Sequence, residues 1–138
     1  MKPRSQTHTS ACTCGSGRAY ADCCAVLHAG SSAPTAEALM RSRYSAYVLA
    51  LAPYLLATWH ASTRPTKLDL EGDTNAQWLG LDVKRHQPTG TDSAIVEFVA
   101  RYKTGGRAHR LHETSRFVRE DGRWYYVDGE FSEPGAQP

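Results

Sequence analysis

The chain has 138 residues, enough for one domain with its own hydrophobic core. Hydrophobic residues make up 41% and charged residues 22%, which excludes a disordered chain; 16 Lys+Arg against 14 Asp+Glu leave a net charge of +2, too little for bulk attraction to nucleic acid. No apolar run approaches the roughly 20 residues of a spanning helix, and Met1-Lys2-Pro3-Arg4-Ser5-Gln6-Thr7-His8 lacks the apolar middle of a secretory signal, so a cytoplasmic protein with reduced thiols and no membrane segment is expected.

The first element is a small polar segment that holds all four cysteines. Cys12-Thr13-Cys14 and Cys23-Cys24 are separated by eight residues. Four thiolates so close together suit one tetrahedral zinc ion, with Cys12, Cys14, Cys23 and Cys24 as the metal ligands. Gly15 and Gly17 let the chain fold back, and Ala19 to Cys24 can form a turn carrying the second ligand pair. The metal supplies folding energy that so polar a segment lacks. Adjacent Cys23 and Cys24 are sterically demanding, so His8 or His28 remains an alternative for one ligand. A disulfide framework, with three pairings open to four cysteines, and a redox pair are the rival readings.

Next comes a helical stretch. Gly30-Ser31-Ser32-Ala33-Pro34 breaks the chain, Thr35 can cap the following turn, and Glu37 suits the positive end of a helix dipole. Met40, Tyr44, Tyr47, Val48 and Leu51 then share one face, with Glu37, Arg41 and Ser45 opposite. Pro53 opens a second short helix running towards His60, and Ser62-Thr63-Arg64-Pro65 ends it.

From about Trp78 to Phe131 the pattern alternates as four up-and-down antiparallel strands. Gly105-Gly106 and Asp121-Gly122 are two-residue hairpin turns, and Pro88-Thr89-Gly90 is a looser one. The tight turns predict a register: Tyr102 opposite His109, Phe98 opposite Glu113, Val96 opposite Ser115, Phe117 opposite Tyr126 and Ser115 opposite Asp128. One face then carries Val96, Phe98, Ala100, Leu111, Phe117, Trp124 and Tyr126 and packs on the helix. The other carries Glu97, Arg101, Lys103, Arg110, His112, Thr114 and Arg116. A one-residue bulge reverses such an assignment.

Glu113, Ser115 and Asp128 are polar residues on the apolar face. With Arg43, Tyr47 and His60 from the helical part they make a candidate pocket. Three readings of it compete: a buried Glu–Arg tether between helix and sheet, a ligand site, and a general acid or base with Glu113 or Asp128 as the reacting group. The basic outer strand face is a weaker candidate surface for RNA or the ribosome.

Cys12 to Cys24 with their Gly-Ser-Gly core resemble the SEC-C metal-binding motif. Residues 34–47 (Pro34-Thr35-Ala36 through Tyr47), Thr58-Trp59-His60 and residues 112–117 (His112-Glu113-Thr114 through Phe117) resemble the bacterial YchJ-like family, and the likeness runs over nearly the whole chain. The resemblance implies an α+β fold. A SEC-C zinc-binding module over residues 1–30 precedes a nuclear transport factor 2-like (cystatin-like) domain over 31–131, whose helices pack on a curved four-stranded antiparallel sheet, and 132–138 form a flexible tail. No cysteine follows Cys24, so the second SEC-C motif of some relatives is not expected here. Zinc modules of this kind commonly contact proteins. The leading expectation is therefore a zinc-binding adaptor presenting Arg18 and Tyr20 to a protein partner, and an enzyme of the lyase or isomerase type is its rival.

Overall fold

In the computed structural model, which describes residues 11–68 and 77–131, the cysteine segment is a knuckle with little regular structure. It holds a 3-10 turn over Tyr20–Asp22 and a short helix α1, Cys24–His28. The expected tail at 132–138 and His8 lie outside the described residues.

Thr35 Oγ1 accepts a hydrogen bond from the Ala38 amide at 3.0 Å and opens helix α2, Ala36–Val48. A second helix, α3, spans Ala52–Ala57 with Pro53 in its first turn, where a missing N–H costs nothing. Among the described residues, no helix is long and apolar enough to cross a membrane.

The four strands are β1 (Gln77–Gly90), β2 (Ser93–Thr104), β3 (Arg107–Glu120) and β4 (Arg123–Phe131), antiparallel in the order β1-β2-β3-β4. The two tight turns hold residues with positive φ, Gly105 (59°) with Gly106 (79°) and Asp121 (54°) with Gly122 (79°), as hairpins with matching twist require. The third turn differs from expectation. β1 continues through Pro88 to Gly90 and reverses at Thr91–Asp92, because register irregularities between Val83/Arg85 and Pro88/Gly90 let the strand absorb the proline.

The β2–β3 register is the predicted one: Tyr102 faces His109, Phe98 faces Glu113 and Val96 faces Ser115. Phe117 also faces Tyr126, but an irregularity between Arg116 and Phe117 then shifts β4. Asp128 therefore pairs with Arg116, and Gly129 takes the place opposite Ser115. One extra residue, Val127, turns Asp128 to the outer face, which corrects its predicted place on the core face.

The core sits between α2 and the inner face of the sheet and includes Leu39, Met40, Tyr44, Leu81, Val96, Phe98, Ala100 and Phe117. Helix α2 is buried on more than its apolar stripe. Ser42 and Ser45 are 0% exposed, so Ser45 does not face solvent as its helical position suggests. The knuckle covers that side, and Cys12, Cys14 and Cys24 belong to the same core cluster.

Candidate metal centre and cavity

The four cysteines are free thiols, and their sulfur atoms all lie within 4.8 Å of one another. Cys14 and Cys23 are 3.6 Å apart and Cys23 and Cys24 4.0 Å. A disulfide needs about 2.05 Å, whereas sulfurs about 2.3 Å from a tetrahedral zinc sit roughly 3.8 Å from each other. The donor set therefore fits a soft four-coordinate cation. His28 is engaged elsewhere, with Nδ1 2.8 Å from the Tyr20 hydroxyl and Nε2 2.8 Å from the Ser42 carbonyl.

Local electrostatics favour the same use. A hydrogen bond from the Cys24 thiol holds Cys14 well below the usual thiol range, with Ser16 assisting and burial opposing. That contact and burial push Cys24 up, and burial raises Cys23. A divalent cation offsets the cost of deprotonating these buried sulfurs.

The knuckle is fastened to α2 by polar contacts. Thr13 Oγ1 lies 2.8 Å from Ser45 Oγ, Cys12 Sγ lies 3.6 Å from the same hydroxyl, and Arg41 Nη1 donates to the Cys14 carbonyl at 2.7 Å. Gly15, at φ 82°, passes so close to β1 that a Cβ would lie 3.2 Å from the Leu81 carbonyl oxygen. Arg18 and Tyr20, expected to face a partner, are bonded within the module: Arg18 Nη2 donates to the Asp22 carbonyl, and the Tyr20 hydroxyl meets His28.

Across α2 from the knuckle lies a cavity of about 260 Å³. Of the predicted pocket residues, Arg43, Tyr47, Glu113 and Ser115 line it, together with Trp78, Phe98, Leu111 and Tyr126. Ser115 Oγ donates to Glu113 Oε2 at 3.0 Å and the Tyr126 hydroxyl donates to the same oxygen at 3.2 Å. Burial raises the Glu113 carboxyl above its ordinary range, against the pull of these two donors and of Arg43. Burial and the neighbouring carboxylate push Tyr126 up, so its hydroxyl stays a donor.

Arg43 and Glu113 form no direct ion pair among the described residues. Arg43 Nη1 donates to the Leu55 carbonyl at 2.8 Å and to Thr58 Oγ1 at 2.7 Å, tying α2 to the end of α3. Its guanidinium carbon sits 4.5 Å from the Tyr126 ring centroid and 5.1 Å from that of Trp59. Tyr126 thus stands between the two charged groups, with Arg43 on its ring and Glu113 at its hydroxyl.

His60 and Asp128 do not join this group. His60 sits at the surface, with Nδ1 2.7 Å from Ser62 Oγ and Nε2 2.7 Å from Glu120 Oε2, because its amide bonds the Tyr126 carbonyl at 2.7 Å and turns the ring away. Asp128 is held bidentate by Arg116 at 2.6 Å on the outer face, and that guanidinium keeps its carboxyl below the usual range. On the same face Arg101 is paired with Asp82 and Arg85 with Glu97.

The residue missing from the predicted set is Gly129. A Cβ there would lie 1.8 Å from Glu113 Oε2 and 2.7 Å from its Cδ, so the bare backbone is what makes room for the carboxyl. A glycine inside an otherwise regular strand is the sequence signal for such an approach.

Two family models match the chain: the YchJ middle NTF2-like domain over residues 35–129 and the SEC-C motif over residues 9–25. A UPF0225 protein of Ralstonia nicotianae is 61% identical over 135 residues, covering 90% of this chain and 93% of the relative. Another from Cupriavidus metallidurans is 58% identical and covers 96% and 97%. Among solved structures, a SEC-C motif containing protein from Rhodopseudomonas palustris superposes with a TM-score of 0.77 at 38% identity, covering 86% of this chain and 96% of that one. A SEC-C motif containing protein from Psychrobacter arcticus gives 0.76 at 32% identity, covering 88% and 82%.

Proposed function

Since the chain belongs to the YchJ-like UPF0225 family, with a SEC-C motif ahead of an NTF2-like domain, we propose that it is a zinc-clamped protein that binds a small molecule in the cavity between α2 and the sheet. Cys12, Cys14, Cys23 and Cys24 hold one zinc ion in a closed structural site, and the ion's chemistry is to neutralise four thiolates and fix the knuckle. Three of these four ligands are buried in the core and the knuckle is bonded to α2, which supports a structural metal. The knuckle in turn covers the polar side of the helix whose other side lines the cavity.

The observation that carries the binding reading is Glu113. A carboxyl only 9% exposed, raised by burial and bonded, among the described residues, by two hydroxyls but by no cation, is an expensive group to keep as a tether. It borders a cavity walled by aromatic rings, the ordinary composition of a ligand site. The test is amide NMR of the zinc-loaded protein against a fragment set of acids, bases and neutral compounds. The reading expects perturbations clustered on α2, β2 and β3 and lost in Ala100→Phe, which fills the cavity. A set that leaves all cavity amides unmoved refutes it.

The adaptor reading keeps one supporting observation. A groove of about 460 Å³ runs between the knuckle and α2, with half-exposed Val26, Leu27, Pro34 and Ala38 in its wall beside Cys23 and Cys24. Its shape depends on the metal, so a protein partner captured there would be lost together with zinc.

A further inference from the structure

The open hydrogen-bonding positions of the cavity define a ligand class, on the premise that the cavity binds a small molecule. Among the described residues, both hydrogen bonds of Arg43 leave from Nη1 and both hydrogen bonds of Glu113 arrive at Oε2. The Nε/Nη2 edge of the guanidinium and the Oε1 side of the carboxyl are left for a guest. Arg43 is 5% exposed, a buried cation with aromatic rings against it and, among the described residues, no carboxylate in ion-pair contact. An anion offered to it meets a charge already desolvated and a donor edge of fixed geometry. A cationic guest would meet that same charge as repulsion.

The remaining walls set size and shape. Met40, Trp78, Phe98 and Leu111 are apolar, and Trp78 is wedged among Tyr44, Tyr47 and Tyr102 at centroid distances of 5.6, 6.2 and 5.5 Å. A cavity of about 260 Å³ is smaller than the roughly 300–1,000 Å³ sites of drug-sized ligands, so it suits a small guest.

We propose that the cavity binds a small, flat monocarboxylic acid, its carboxylate on the open edge of Arg43 and its apolar body against Trp78, Phe98 and Leu111. The groups around Glu113 in the cavity wall are Ser115 on its own strand, Arg43 and Tyr47 from α2 and Tyr126 from β4, while Asp128, on the outer face of β4, adds a remote negative charge. A ligand carboxylate adds one more negative charge to this set. Glu113 therefore enters the complex protonated, and Oε1 becomes the donor of a second hydrogen bond to the ligand. Binding takes up one proton wherever free Glu113 is ionised.

The experiment titrates benzoate, benzamide and benzylammonium into the zinc-loaded, isotope-labelled chain across pH 5 to 8. Benzoate should shift the amides of Ala100, Glu113 and Tyr126 saturably and bind at least tenfold tighter than benzamide, with no shift from benzylammonium. Its affinity should fall about tenfold per pH unit above the Glu113 titration. Glu113→Gln, whose amide can still donate but cannot titrate, should lose that pH dependence, and Ala100→Phe should abolish binding in a folded protein. Preference for benzylammonium, or equal binding of benzamide, overturns the ligand class and leaves the cavity reading standing. Absence of any shift with all three overturns the inference, while the wider fragment set decides the cavity reading separately.

Discussion

Alanine at Gly129 tests how tightly the Glu113 carboxyl is seated. The new methyl carbon would lie 1.8 Å from Oε2, 2.7 Å from Cδ and 2.9 Å from Cγ, so the whole carboxyl end must swing away. That movement breaks the hydrogen bonds from Ser115 at 3.0 Å and Tyr126 at 3.2 Å. Each is worth about 1–1.5 kcal/mol, giving a loss of about 2–3 kcal/mol. Replacing a strand glycine returns about 0.5–1 kcal/mol of backbone entropy, so the net cost is about 1–2 kcal/mol. In a Glu113→Ala background there is nothing to displace, and the same substitution becomes neutral or stabilises by up to about 1 kcal/mol. Urea unfolding of the four proteins closes the cycle, and a coupling of about 2–3 kcal/mol between the two positions is expected. An equal effect of Gly129→Ala in both backgrounds would refute the seat.

The raised Glu113 carboxyl gives a pH signature of defined sign. Its contribution is fully present below the ordinary value of 4.5 and is lost as pH rises through the higher folded value. Glu113→Gln should therefore gain stability relative to wild type between pH 4 and pH 8 in urea titrations; a difference that does not change with pH contradicts the assignment. Asp128 shares an exposed ion pair with Arg116, so Asp128→Ala should cost at most about 1 kcal/mol and leave benzoate binding unchanged. A loss of binding in that variant would place Asp128 back in the site. Arg41→Met removes the donor to the Cys14 carbonyl and should speed zinc transfer to a competing chelator while the NTF2-like domain stays folded; an unchanged rate would show that this bond does not hold the knuckle.

Much of this was legible in the sequence because local chemistry determines it. Thr35 caps α2, Gly105-Gly106 and Asp121-Gly122 make their turns, and the β2–β3 register places Glu113 and Ser115 on the inner face. The cysteine spacing alone predicted a cluster, and the four sulfurs converge. What escaped depends on one inserted residue and on tertiary cover. The irregularity near Val127 sends Asp128 outward, and no local pattern marks it except Gly129 two residues later. Ser45 reads as a solvent position until the knuckle is laid over it. The isolation of Arg43 from Glu113 depends on where the Tyr126 ring falls, which is a matter of packing and not of spacing.

The most direct test of the metal-clamped architecture joins elemental analysis with amide NMR before and after chelation under reducing conditions. The account predicts one zinc per chain, and removal should collapse the dispersed signals of residues 11–28 and shift Ser42 and Ser45 on α2. A reduced chain that carries no zinc when gently purified, and whose knuckle amides are indifferent to the chelator, would contradict it.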